Sequence, residues 1–179
     1  LGISENTGAV IRQVLGSVHV PEVIDADALT ALVGHTDLLA TLPAAKILTP
    51  HPGELARLLN LTVASVEKDR IKIAVSCARA WQAVLVLKGV PTVVAWPDGT
   101  YYLNPTGNAS MATGGSGDVL TGIIAALVSQ GMQPGLAAMA GVYLHGVAGD
   151  VAATEKVGLA AGEIADAVPK ARYLVAKSL

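Results

Sequence analysis

A glycine-rich segment over residues 104–118 has the residue types needed to bind an anion and accept a proton. Its sequence, NPTGNASMATGGSGD, leads directly into an apolar stretch that begins near Val119. A helix N-terminus offers free backbone N–H groups to a phosphate, and glycines allow the phosphate to approach the backbone closely. Asp118 then has two interpretations, a cap of the following helix or a base that takes a hydroxyl proton beside an anion hole. The spacing excludes both a Walker A loop and the GxGxxG turn of dinucleotide-binding folds.

A second segment, residues 49–54, holds a histidine between two prolines. The sequence TPHPGE follows a short predicted strand, and ligands of open α/β sheets bind beyond the carboxyl ends of strands. A lone histidine is usually structural, but prolines fix the chain direction at small entropic cost, which favours a binding role for His51. Glu54 is interpreted first as an acidic residue in the first turn of a helix, and second as a distant metal ligand.

Two further charged residues stand at predicted strand ends. Lys88 follows the apolar strand 83–87 and is either a phosphate contact of a nucleotide or an ordinary strand-end charge. Asp25 ends a strand over 22–25, and Asp27 is interpreted as the N-cap of the next helix.

The remaining histidine and cysteine positions do not predict a metal site. His145 and Asp150 are five residues apart on a predicted helix and do not share a face, so His145 is interpreted as a core or interface histidine. No two histidines have the spacing of zinc ligands, and the single cysteine, Cys77, excludes a Cys-based zinc cluster.

The elements that must position these residues alternate along the chain, which predicts an α/β fold with helices on both faces of a sheet. The predicted strands are 22–25, 46–49, 83–87, 92–96 and 100–103, the last two joined by a hairpin. The predicted helices are one between an N-cap at Ser4 and Pro21, 28–33, one starting near Leu55, 62–81, 119–130, 134–154 and a last one interrupted near Pro169.

Composition bounds the class of protein. The 179 residues are 52% hydrophobic and 15% charged, with a net charge of −2, which excludes intrinsic disorder and a strongly basic nucleic-acid-binding face. The apolar runs 119–128 and 136–153 are interpreted as buried helices, because the first is too short to span a membrane and the second contains His145 and Asp150. Without a secretory signal, the sequence favours a cytoplasmic, single-domain enzyme.

Three segments together resemble the ADP-dependent NAD(P)H-hydrate dehydratases of the ribokinase-like superfamily. They are 49–54, 86–92 (VLKGVPT) and 104–118, and residues 142–150 look like the family's next helix. The resemblance implies a three-layer α/β sandwich with a mostly parallel sheet covered by helices. His51 separates this family from related vitamin kinases, which usually have Asn at that position. Family members have further strands and helices before the segment matching Leu1-Gly2, so we expect the domain over 1–179 to be incomplete at its N-terminus.

The reaction implied by the resemblance repairs the S form of hydrated NADH or NADPH. A phosphoryl group passes from ADP or ATP, with Mg²⁺, to the ring hydroxyl, and phosphate elimination restores the double bond. The alternatives are a small-molecule, vitamin-precursor kinase of the same superfamily and a nucleotide-binding module without turnover.

The resemblance also implies the site residues. Asp118 matches the base and a hydrate contact, Gly2 and His51 match further hydrate contacts, and Glu54 is expected to hold magnesium through water. The nucleotide contacts implied are Lys88, Gly89, Val90, Pro91, Thr92, Gly114, Gly115, Ser116 and Gly117. We expect a homo-oligomer from the apolar helix around 143–151, and an NAD(P)H-hydrate epimerase, fused or separate, as a partner.

Overall fold

The chain folds into two compact units in a computed structural model that describes residues 2, 4–154, 156 and 158–177. The N-terminal unit ends at Leu103, and the C-terminal unit begins at Asn104. Each unit has its own core and is described by itself. The single domain over 1–179 stays a prediction.

The N-terminal unit contains a five-stranded mixed sheet in the order β1-β2-β3-β4-β5. Strands β1, β2 and β3 are mutually parallel, whereas β4 is antiparallel to both of its neighbours, so four of the five strands point the same way. This confirms the predicted mostly parallel α/β sheet. The strands are β1 (Glu22–Ile24), β2 (Lys46–Leu48), β3 (Val84–Leu87), β4 (Val93–Ala95) and β5 (Tyr101–Leu103).

Helices and one 3₁₀ segment pack against this sheet. The side chain of Ser4 accepts a bond from the Thr7 N–H at 3.2 Å and so caps α1, as predicted. Helix α5 contacts β3 and β4, and Trp81 at its end is buried in the core. The elements are α1 (Glu5–Ser17), α2 (Asp27–Thr30), the 3₁₀ segment (Thr36–Thr41), α3 (Pro52–Leu59), α4 (Val63–Lys68) and α5 (Arg70–Trp81).

Strand β3 shows why this core forms where the sequence predicts it. All four of its residues are buried, and Leu85 and Leu87 are completely enclosed. Each fully buried side chain of this size contributes about 1.5–3 kcal/mol relative to exposure. The apolar run therefore stabilises the centre of the sheet and fixes the position of the residue that follows it, Lys88.

The C-terminal unit is helical. A short 3₁₀ segment (Ala109–Met111) precedes α6 (Ser116–Ser129), α7 (Pro134–Ala152) and α8 (Ala161–Lys177), and α7 packs against both other helices. Small residues permit this packing, because a Cβ on Gly141 would lie 2.6 Å from Cγ1 of Ile124. Within the described residues, no helix is both long and apolar enough to cross a membrane.

Three of the sequence predictions about elements are wrong. The predicted helix 62–81 is two helices, because Asp69 has a non-helical backbone, with φ −128° and ψ 40°. Asp27 is not an N-cap. Ala26 takes that position without a side-chain bond, and Asp27 Oδ2 instead accepts from the Gly2 N–H at 3.2 Å. Pro169 lies inside a continuous α8 and does not interrupt it.

Candidate functional site

In the N-terminal unit, a lysine and two carboxylates meet at one edge of the sheet. Asp25 follows β1 and Lys88 follows β3, and these parallel strands bring their carboxyl ends to the same edge. Lys88 Nζ lies 2.8 Å from Asp25 Oδ1 and 3.7 Å from Glu54 Oε2. The three side chains are at most 19% exposed. The structure thus brings together three residues that the sequence had singled out separately.

His51 and Glu54 form a reciprocal cap at the start of α3. Nδ1 of His51 accepts the N–H groups of Gly53 at 3.0 Å and Glu54 at 3.3 Å, and Glu54 Oε2 accepts the His51 N–H at 2.7 Å. A ring nitrogen that accepts bonds carries no proton, so this arrangement places the ring proton on Nε2. The His51 side chain is 48% exposed, and its Nε2 atom lies 3.6 Å from Glu54 Oε1.

The segment 88–92 is shaped by a residue that the sequence analysis missed. Arg70, at the start of α5, donates to the carbonyl oxygens of Leu87 at 3.2 Å, and of Lys88 and Pro91 at 3.0 Å each. Gly89 adopts φ +137°, and Val90 is 95% exposed. Local sequence carries no signal for this contact, because Arg70 and its acceptors are 17 to 21 residues apart.

In the C-terminal unit, α6 begins three residues earlier than predicted, at Ser116. Gly115 is its N-cap with φ +86°, a conformation that favours glycine. Asp118 is therefore in the first turn, with an exposed carboxylate, and the interpretation of this residue as the helix cap is wrong. Across the described residues, the N–H groups of Gly117 and Asp118 have no backbone or side-chain acceptor, as is typical of a first helical turn.

Two residues of α7 support the glycine-rich segment. His145 Nε2 lies 3.4 Å from Ser116 Oγ, and burial lowers the pKa of this histidine to about 4. Asp150 accepts from the Gly107 N–H at 3.0 Å and from Nδ2 of Asn108 at 2.8 Å. The sequence predicted that His145 and Asp150 lie on different faces of their helix, but it did not predict that both would contact this segment.

The described residues do not fit a magnesium ion held by the protein alone. Among them, no three His, Cys, Asp or Glu side chains come together as a metal site. Glu54 Oε2 already accepts the His51 N–H and lies 3.7 Å from a lysine ammonium. The first-turn interpretation of Glu54 is confirmed, whereas its water-mediated metal role stays a prediction.

The remaining predicted residues have clear positions. Gly2 has φ +68°, and its N–H donates to the Asp27 carboxylate. Gly114 is exposed and lies just before the N-cap of α6. Thr92 Oγ1 donates to the Gly89 carbonyl at 3.0 Å and so closes the 88–92 turn.

This architecture is that of a ribokinase-like protein. A ribokinase-like superfamily protein from Enterococcus faecalis superposes with a TM-score of 0.77 at 28% identity over 95% of this chain and 59% of its own. A hydroxyethylthiazole kinase from Pyrococcus horikoshii, at 16% identity and TM-score 0.57, shares the fold alone.

The family model described as NAD(P)H-hydrate dehydratase matches residues 1–170, and the chain belongs to this family. The bifunctional NAD(P)H-hydrate repair enzyme Nnr of Moorella thermoacetica is 54% identical over 94% of this chain. The ADP-dependent (S)-NAD(P)H-hydrate dehydratase of Neisseria meningitidis is 47% identical over 89% of it. The chain spans 32% and 55% of the lengths of these two relatives. The ADP/ATP-dependent dehydratase of Bacillus subtilis, co-crystallised with ATP and Mg²⁺, gives a TM-score of 0.84 at 36% identity, over 97% of this chain and 61% of its own.

Proposed function

We propose that this chain carries out the nucleotide-dependent dehydration of the S form of hydrated NADH or NADPH. The observation that carries the proposal is the first turn of α6, where the exposed Asp118 carboxylate stands beside the unpaired N–H groups of Gly117 and Asp118, among the described residues. The Neisseria relative, which is named for this reaction, supports the choice of substrate. His51, where related vitamin kinases usually have Asn, argues against the kinase alternative.

In the proposed reaction, Asp118 takes the proton of the ring hydroxyl. At the same time, the hydroxyl oxygen attacks the terminal phosphorus of ADP or ATP. A new O–P bond forms and the bond to the nucleotide's bridging oxygen breaks, which releases the shortened nucleotide. The N–H groups of Gly117 and Asp118, with Gly114, Gly115 and Ser116, stabilise the negative charge on the transferring group. Phosphate then leaves the ring carbon, a proton leaves the neighbouring carbon, and the double bond is restored.

The N-terminal unit is proposed to bind both substrates. His51, whose side chain is half-exposed, contacts the hydrate, and Gly2 contributes a second hydrate contact. Lys88 and the turn Gly89–Thr92 contact the nucleotide. Lys88 is paired with the carboxylates of Asp25 and Glu54.

Recovery of the near-ultraviolet absorbance of reduced nicotinamide from hydrated NADH tests the proposal. The complete gene product is compared with Asp118→Asn and with Asp166→Asn, an exposed control on α8. We expect nucleotide-dependent recovery in the parent and the control, and a loss of about 10²-fold or more in Asp118→Asn. A stable phosphate ester as the product would instead establish the kinase. No recovery from a parent that binds nucleotide would overturn the dehydratase.

Three properties of the whole protein belong to the same proposal. We place it in the cytoplasm, where its substrates are held, and we propose a homo-oligomer and an NAD(P)H-hydrate epimerase as partner, fused or separate. The bifunctional name of the Moorella relative supports the last point. The oligomer was predicted from the apolar helix α7, which is packed against α6 and α8 within the C-terminal unit. Light scattering on the purified protein tests the oligomeric state.

A further inference from the structure

Arg70 ties the turn that follows β3 to the start of α5. Its Nη2 atom donates to the carbonyl oxygens of Leu87, Lys88 and Pro91, and its Nη1 atom donates to Glu67 Oε2 at 2.9 Å. The side chain is only 10% exposed. One guanidinium group, held in place by a carboxylate, therefore fixes both ends of the turn.

Gly89 shows how closely the turn and the guanidinium group pack. A Cβ at this position would lie 2.7 Å from Nη2 of Arg70 and 2.9 Å from Nη1, both well inside van der Waals contact. The φ of +137° also disfavours every other residue. Both the backbone conformation of the turn and the position of Arg70 thus depend on the absence of a side chain here.

The turn carries an apolar residue outward. Val90 is 95% exposed, so burial within the N-terminal unit does not hold it in place. Arg70 donates to the carbonyl oxygens of Lys88 and Pro91, and Thr92 Oγ1 donates to that of Gly89. Hydrogen bonds, chiefly those of Arg70, therefore hold this turn against the N-terminal unit.

We propose that Arg70 is a positioning residue for the nucleotide, which acts by holding the backbone of 88–92 in its binding conformation. This inference rests on the proposed function, in which 88–92 contacts the nucleotide. Arg70 is not proposed to contact the nucleotide itself, because its Nε atom is buried and its Nη atoms donate to Glu67 and to the turn. A turn fixed before binding loses less conformational entropy when the nucleotide arrives. The contribution of Arg70 is therefore to nucleotide affinity and not to the chemical step.

The test compares the parent with Arg70→Met, Arg70→Lys and Arg79→Met. Arg79 is a matched control, since it also lies on α5 and donates to a turn carbonyl, that of Asp98 at 3.3 Å. Each variant is measured for its folding by circular dichroism, its ADP Kd by calorimetry, and its kcat and KM for ADP and for the hydrate.

We expect Arg70→Met to raise both the Kd and the KM for ADP about tenfold or more, because three bonds from a charged donor are lost. The KM for the hydrate and kcat should stay within about twofold of the parent. The Kd and the KM of Arg70→Lys for ADP should lie between those of the parent and those of Arg70→Met. One ammonium group keeps the charge but does not span three carbonyl groups. Arg79→Met should match the parent.

Several outcomes would overturn the inference. One is a folded Arg70 variant with the ADP Kd of the parent, and another is an equal rise in Arg79→Met. A third is an equal loss in ADP affinity, hydrate KM and kcat, which a merely structural role would cause. If Arg70→Met does not fold, Arg70→Lys decides. If the parent binds ADP without dehydratase activity, the proposed function fails while the Kd series still tests Arg70. A parent that binds neither ADP nor ATP overturns both.

Discussion

Lys88 Nζ lies 2.8 Å from Asp25 Oδ1, although the two residues are 63 positions apart in the sequence. Both side chains are largely buried, at 19% exposed for Lys88 and 10% for Asp25. The pair joins the carboxyl ends of β1 and β3 across the edge of the sheet.

We predict that Asp25→Asn lowers the free energy of unfolding by about 1–3 kcal/mol, because the nearest carboxylate left to Lys88 among the described residues is the more distant one of Glu54. Urea unfolding measures the change. Asp37→Asn, at an exposed position of the same unit, is the control and should stay within about 0.5 kcal/mol of the parent. Equal losses in the two variants would show that the pair is not the cause.

Neighbouring glycines before α6 should respond differently to alanine. Gly115 has φ +86°, and a Cβ there would lie 3.1 Å from Cβ of Ala161, whereas a Cβ on Gly114 meets no atom within 4 Å. We predict that Gly115→Ala costs about 1–2 kcal/mol of stability and that Gly114→Ala is close to neutral. Thermal unfolding of both variants checks this, and a stable Gly115→Ala would contradict the observed N-cap geometry.

His145 should make stability depend on pH. Burial lowers its pKa from 6.5 to about 4, so between these values the unfolded chain binds the proton and the folded chain does not. The contribution of His145 to the free energy of unfolding is fully present above pH 6.5. It is lost as the pH falls towards 4, by about 3 kcal/mol at most. Urea unfolding at several pH values, for the parent and His145→Gln, measures it. The free energy of unfolding should change less steeply with pH in the variant than in the parent. An equal pH dependence in both would assign it to other groups.

Local sequence patterns predict much of the fold. The apolar run at β3 predicted a buried strand, since such a run is typical of a strand covered on both faces. Pro97-Asp98-Gly99 predicted the hairpin between β4 and β5, and Ser4 predicted the start of α1. These features are local, because turn residues, caps and hydrophobic periodicity act within a few positions of the chain.

The motifs also predicted the family. The residue types in segments 49–54, 86–92 and 104–118, and the order of these segments along the chain, are characteristic of it. The family model then matched residues 1–170. What the motifs did not determine was the start of α6 at Ser116, which depends on a left-handed Gly115 and places Asp118 in the first turn.

Which side chains come into contact depends on the tertiary structure. Three hydrogen-bonded contacts join residues that are 17 to 63 positions apart in the sequence. They are those of Arg70 with the 88–92 turn, of Asp150 with Gly107 and of Lys88 with Asp25. Such contacts depend on strand order and on helix packing, which no local pattern encodes. The break at Asp69 and the continuous α8 at Pro169 were missed for the same reason, since packing against neighbouring elements overrides local propensity.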